Sequence, residues 1–237
     1  MGDYTNMSAY YDAIMTSGYY DYQRIVDQLL QPCSPQDLLE IGCGTGLILE
    51  EIAKRNTDIQ ITGIDLTQSM LDIAHDRLQS YPNISLNLQN ITTLQLNRQF
   101  QMAFSYGGVW YFVIDHDKEP MLVSHLYSES DNHAGLRSLA DHISAQGHLL
   151  LGTQGPHFNY ETTITNGMQY SQVIEPSEFG FTKHYYLKDC TQTVMAQTVQ
   201  YRTYRFQDAL ELLASYGLHY EASDLSAEQL FIGFKKC

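Results

Sequence analysis

Basic side chains are scarce in this chain: 13 Lys and Arg stand against 27 Asp and Glu, a formal net charge of −14. Over roughly a Debye length, about 8 Å, such a field repels polyphosphate backbones and anionic bilayers. The tight basic clusters are Lys54-Arg55 and Lys235-Lys236, which read as solvated surface and not as a nucleic-acid footprint. Neither nucleic acid nor a membrane is expected as a partner. Cysteine is sparse too: Cys33, Cys43, Cys190 and Cys237 are scattered, with no CxxC and no Cys–His spacing suited to zinc. Asp115-His116-Asp117 gathers metal-type side chains, but neighbours on an extended segment point in opposite directions. No metal is expected. No run approaches the about 18 apolar residues of a membrane span, and MGDYTNMSAYYDAIM has an early acid and no apolar h-region. A reduced, cytoplasmic protein is the expectation.

What is present is a regular alternation of helical and extended patterns. Residues 7–30 carry apolar side chains at spacings of three and four, interrupted at Gly18, which predicts two short helices over the segment 1–36. Asp37 to Ile41 is a short apolar run ending in glycines, the form of a buried parallel strand. A helix from Leu47, a second strand Ile59–Asp65, a helix capped by Thr67, and strands Ile84–Leu88 and Phe100–Tyr106 follow. A helix His133–Ile143 and a fifth strand His148–Leu151 complete a core spanning 37–152. Strands and helices alternating at this spacing predict an α/β fold, doubly wound around a mostly parallel sheet.

Beyond Gly152 the texture changes. Asn166-Gly167 lies between extended segments and signals a two-residue hairpin turn, and Phe181–Tyr204 is rich in Tyr, Thr and Val. An antiparallel β insertion after the fifth strand is expected over 153–205, followed by a helix Phe206–Tyr216 and two closing strands within 206–237.

The stretch LLEIGCGTG, Leu38–Gly46, is a glycine-rich strand-to-helix turn of the kind that admits a nucleotide-like ligand. A triphosphate loop needs GxxxxGK[ST], and no lysine follows here. A dinucleotide fingerprint needs GxGxxG, and Leu47 or Leu49 occupies the last position. What remains is Glu40-x-Gly42-x-Gly44-x-Gly46, with Asp65 ending the next strand in ITGIDLTQSM. A carboxylate at that strand end can accept hydrogen bonds from both hydroxyls of a ribose.

These two elements resemble the class I S-adenosylmethionine-dependent methyltransferases. The resemblance implies a seven-stranded Rossmann-like methyltransferase sheet and S-adenosyl-L-methionine as cofactor. It implies that Glu40, Gly42, Cys43, Gly44 and Gly46 form the cofactor turn and that Asp65 binds the ribose. Leu66 and Met70 would pack on the adenine, Asn90 and Ile91 would face its edge, and Ser105 would close the site at the next strand end. Asn90 stands where the family most often has Asp, and an amide can still pair with an adenine amino group.

A closer resemblance is to small-molecule N-methyltransferases, the amino-sugar N,N-dimethyltransferases and, further off, the glycine N-methyltransferases. It rests on Tyr11-Asp12, the Gly18-to-Tyr22 element, the Phe104-Ser105-x-x-Gly108 turn and the antiparallel insertion. It implies Tyr11 and Tyr22 in a helical cap over the cofactor, with substrate near Tyr106, Trp110 and Tyr111. Tyr185, Tyr186 and Tyr201 would wall the pocket or form a homodimer contact through the insertion. His157, just after the fifth strand, is the histidine best placed by topology to act in catalysis. The expected activity is methyl transfer to a small soluble acceptor, an amine nitrogen first. A non-catalytic cofactor-binding module, an O-methyltransferase and a protein methyltransferase stay open beside it.

Overall fold

The computed structural model describes residues 4–31, 35–115, 118–222, 225–226 and 228–237. Cys33 and the His116-Asp117 pair, named above, lie outside the described residues. Helices α1 (Ser8–Met15) and α2 (Tyr22–Leu30) come first, and the Asp21 carboxylate caps α2 by accepting the Arg24 amide at 3.0 Å. Then follow β1 (Asp37–Ile41), α3 (Leu47–Arg55), β2 (Gln60–Asp65), α4 (Gln68–Leu78), β3 (Ile84–Leu88) and β4 (Phe100–Ser105). Next are β5 (Trp110–Val113), β6 (Met121–Ser124), α5 (Glu129–Asp141) and β7 (Ile143–Gln154). The chain closes with β8 (Tyr160–Thr163), β9 (Gln169–Ser177), β10 (Gly180–Asp189), β11 (Gln192–Arg205), α6 (Phe206–Ala214), β12 (Leu218–Tyr220) and β13 (Phe231–Lys236).

The main sheet runs β3-β2-β1-β4-β7-β13-β12. Neighbours from β3 to β7 are parallel, and β13 and β12 are antiparallel additions. Leu39 and Ile41 of β1 enter the core on one face, with α5 and α6, while Leu38 enters the other, with α2, α3 and α4. A sheet covered on both faces needs apolar residues on both, which is why Leu38, Leu39 and Ile41 do not alternate with solvent-exposed positions.

The antiparallel sheet is larger than expected. It runs β5-β6-β11-β10-β9-β8, and β5 pairs with the carboxyl end of β7 through Phe112–Thr153 and Val113–Gln154. The segment from Trp110 to Ser124, with Trp110 and Tyr111 expected near the substrate, thus supplies two strands of it. Runs of four buried residues carry no periodicity that sequence could reveal. Helix α5 begins at a Ser128 cap and ends at Asp141, so β7 starts at Ile143 and not at His148. The Asn166-Gly167 turn is present but holds three residues, 165–167, between the paired Ile164 and Met168.

Where the two sheets meet, Trp110 is fully buried and donates its indole N–H to Asn132 Oδ1 at 2.8 Å. The same oxygen accepts from Ser124 Oγ at 2.6 Å, and Asn132 Nδ2 donates to the carbonyls of Leu126 at 2.5 Å and Ser128 at 2.9 Å. One amide therefore satisfies four groups, three of them buried, from β5, β6 and the segment leading into α5. Asn132→Ala should strand them and lower stability by about 2–4 kcal/mol, read as a shift in urea midpoint; a change below about 0.5 kcal/mol would contradict this role.

Candidate active site

The glycine turn is tied to the second strand before any ligand is considered. The amides of Gly42 and Cys43 both donate to the Ile64 carbonyl, at 2.8 and 2.9 Å. Asp65 at the end of β2 then accepts the Gly44 amide on Oδ2 at 2.9 Å and the Thr67 amide on Oδ1 at 2.8 Å. Burial pushes the Asp65 carboxyl above its ordinary range, and the bonds from Thr67 and Gly44 oppose that. Each oxygen keeps acceptor capacity on the side facing the cleft. Gly44 adopts φ +54°, and a Cβ there would stand 3.8 Å from the Tyr11 ring. Gly46 serves packing: at φ +80° a Cβ would come within 2.8 Å of Leu78 Cδ1 on α4.

A polar clasp holds α1 against this turn. Thr45 Oγ1 donates to Asp12 Oδ1 at 2.6 Å, and Arg77 of α4 forms a short ion pair with the other Asp12 oxygen. Arg77 also donates to the Thr45 carbonyl at 2.9 Å and reaches Glu50 at 3.3 Å. Asp12 thus fixes the helix that carries Tyr11.

Between these parts lies a cleft of about 890 Å³. Tyr11, Gly42, Gly44, Asp65, Leu66, Met70 and Tyr111, each singled out in the sequence, line it. Tyr185 and Tyr201 line it too. The Tyr201 hydroxyl bonds those of Tyr4 and Tyr185, both at 2.8 Å. His125 is buried against Tyr201, with ring centroids 4.8 Å apart, and burial, helped by Lys183, lowers its pKa to about 3. Lys183 itself is only 2% exposed, and burial brings its pKa down to about 7. This half of the cleft is a tyrosine-walled chamber holding a neutral imidazole and one amine.

Other expected site residues do not reach the cleft. Trp110 belongs to the core, as described. Tyr186 faces the outer side of β10, because Tyr185 one residue earlier faces inward. Tyr22 is displaced by Tyr20, which lines the cleft in its place. Tyr106 packs on Tyr20 and Phe231, with centroids 5.2 and 5.3 Å away, in a neighbouring cavity. Asn90 caps a short turn through the Thr92 amide at 3.0 Å, and Ile91 is in the core. Cys43 and Gly46 are packing positions. Glu40 and Ser105 are buried, and Glu40 Oε2 and Ser105 Oγ have no partner among the described residues. Burial, then the Asp65 charge, pushes Glu40 well above the carboxylate range.

His157 is corrected as well. It lines the neighbouring cavity, its Nε2 is 3.2 Å from Gln154 Oε1, and Gln154 Nε2 donates to the Tyr20 hydroxyl at 2.9 Å. Its ring also packs on Tyr111 and Phe181, with centroids 5.8 and 5.4 Å away, so it abuts the chamber from that neighbouring cavity without lining the cleft. The histidine that the topology brings inside is His125, directly after β6. Its signal was hidden, since MLVS was not readable as a strand end.

The donor set fits an adenosyl ligand: a carboxylate fixed at the strand end, a glycine turn with space on its cleft side, and an apolar wall of Leu66 and Met70. Comparison with known proteins points the same way. Residues 38–128 match a family described as a methyltransferase domain. A malonyl-[acyl-carrier protein] O-methyltransferase from Bacillus cereus is 28% identical over 118 residues, 50% of this chain and 37% of that protein. The chain spans only about a third of the length of such first relatives, 34% and 37%. Among solved structures, an amino pentose methyltransferase from Micromonospora echinaspora with S-adenosylmethionine bound gives a TM-score of 0.69 at 16% identity, covering 96% of each chain. A sugar N-methyltransferase from Streptoalloteichus gives 0.63 at 17% identity, covering 100% of this chain and 94% of that one. Strand order and structural neighbours thus give this chain the Rossmann-like fold of the class I S-adenosylmethionine-dependent methyltransferases, and residues 38–128 match a methyltransferase domain.

Proposed function

We propose that the cleft binds S-adenosylmethionine and passes its methyl group to a small soluble acceptor, with an amine nitrogen as the receiving atom. The observation that carries this reading is the Asp65 carboxylate, fixed by the Gly44 and Thr67 amides and opening onto a cleft that ends in the tyrosine chamber. When bound, the cofactor supplies an electrophilic methyl on a sulfonium. Asp65 would hold the ribose, Leu66 and Met70 the adenine, and the Gly42–Gly44 turn the methionine tail. Tyr11, held by the Asp12 clasp, closes that half against water.

In the chamber, tyrosine faces favour a developing or resident cation by about 0.5–2 kcal/mol. Positioning alone lowers a barrier of this kind by about 7–11 kcal/mol in favourable systems. The neutral His125 can take the proton that an amine must lose, and its low pKa makes it a weak base. A second reading, methylation of a carboxylate oxygen, is favoured by Lys183, whose amine has no acidic partner among the described residues of the chamber. It is also supported by the match to O-methyltransferases. On either reading the helical segment 1–36 covers the cofactor, 37–152 with 206–237 forms the core, and 153–205 walls the acceptor. We propose a contact between two copies on the insertion's outer face, where Val173 and Phe179 are exposed; sedimentation showing only monomer at high concentration would contradict it.

The test is a turnover screen, with S-adenosylhomocysteine formation measured over matched amines, phenols and carboxylates. Binding without turnover across the panel would leave a non-catalytic module. Asp65→Asn should weaken cofactor binding by about 1.5–3 kcal/mol, roughly tenfold to a hundredfold; equal affinity in the folded variant would misplace the ribose. His125→Asn should lower kcat by about tenfold to a hundredfold with cofactor affinity kept, and His157→Asn should change neither. Because His125 stays neutral down to about pH 3, its loss should remove no limb near the ordinary histidine range; a wild-type limb there that vanishes in the variant would refute the assignment.

A further inference from the structure

Along β10, Lys183, Tyr185 and Leu187 face inward while His184 and Tyr186 face outward. A lysine at an inward position is out of keeping with its neighbours. Among the described residues lining the cleft it is the only cation, and Asp65, already engaged by two backbone amides, is the only carboxylate. Lys183 forms no ion pair or hydrogen bond with a described residue. Its Nζ lies 5.6 Å from the Phe181 ring centre and 5.5 Å from that of Tyr201. Ring faces return about 0.5–2 kcal/mol, less than the several kcal/mol that burying an unpaired ammonium costs. An ammonium with three N–H donors in a tyrosine-walled cleft calls for an acceptor brought in from outside.

We propose that Lys183 anchors a carboxylate carried by the methyl acceptor. This rests on reading the cleft as a methyl-transfer site. One cation with no arginine beside it suits a monoanion, not a phosphate dianion. The tyrosine hydroxyls around it can donate to the second carboxylate oxygen. On the nitrogen reading the carboxylate is a second handle on an amine; on the oxygen reading it holds the receiving atom itself.

The pH dependence follows from the neighbours. His125 after β6 and His157 after β7 are neutral down to about 3. Tyr111 on β5, Tyr185 on β10, Tyr201 on β11 and Tyr4 are all pushed above the ordinary tyrosine range by burial. Among these described groups, Lys183, brought by burial to about 7, is the one that titrates near neutrality. Only its protonated form attracts a carboxylate, so affinity is full below about 7 and is lost as pH rises through it.

Calorimetric titration of the S-adenosylhomocysteine-loaded protein with benzoate, benzamide and inorganic phosphate tests this, at pH 6 and pH 8.5, in wild type, K183Q and K183R. Benzoate should bind roughly tenfold or more tighter than benzamide at pH 6 and lose roughly tenfold by pH 8.5. K183Q should lose both the preference and the pH dependence, K183R should keep the preference without the pH dependence, and all three should bind S-adenosylhomocysteine alike. Equal binding of benzamide, no binding of benzoate, tighter binding of phosphate, or a benzoate preference that survives in K183Q each overturns the proposal. Failure of wild type to bind S-adenosylhomocysteine would instead sink the methyl-transfer reading beneath it.

Discussion

The carboxylate of Asp65 between the amides of Gly44 and Thr67 is the contact on which the site depends. It joins the turn after β1 to the entry of α4, and charge-assisted bonds of this kind are about twice as strong as neutral ones. Once Gly44 is fixed, Thr45 is presented to Asp12, and Asp12 with Arg77 seats α1. The Tyr11 ring then comes to rest beside Gly44. A cap that the chain forms in its first turns is thus positioned by a residue more than fifty places later. The cost is the desolvation of a carboxylate, which two backbone amides offset without neutralising.

The second half of the site obeys a different constraint. The antiparallel sheet extends from the carboxyl end of β7 and turns its inner face towards the cleft mouth, the position where open α/β sheets hold their ligands. That face is built of tyrosines whose hydroxyls satisfy one another, as Tyr4, Tyr201 and Tyr185 do, so a polar cavity is lined without charge. Against this background the buried Lys183 and Glu40, neither facing an opposite charge among the described residues, depart from the rule that buried ionisable groups are paired. Such departures from consistency concentrate where a protein keeps capacity for a ligand.

Much of the fold was legible because its signals are local. The glycine spacing and the acidic residues at the ends of β1 and β2 mark the turn and the proposed ribose position in under thirty residues, and Leu66 and Met70 line the same cleft by adjacency. The inward face of the insertion was less legible. Tyr185 and Tyr186 are adjacent and chemically identical, and only pairing to β9 and β11 decides which points in. Trp110 misled because a lone aromatic after a glycine pair looks like a binding residue, whereas the Asn132 amide that claims its N–H lies on a helix reached by tertiary contact. His125 and Lys183 stayed hidden for the same reason. Each becomes meaningful only through the second sheet, whose strands β5 and β6 are too short to declare themselves.

The most direct measurement is a crystal structure of the protein with S-adenosylhomocysteine. The ribose is expected on Asp65, the adenine against Leu66 and Met70, and the sulfur turned towards the chamber of His125 and Lys183. A nucleoside bound elsewhere, or one seated in the cleft with Asp65 touching only the Gly44 and Thr67 amides, would contradict the reading of this site.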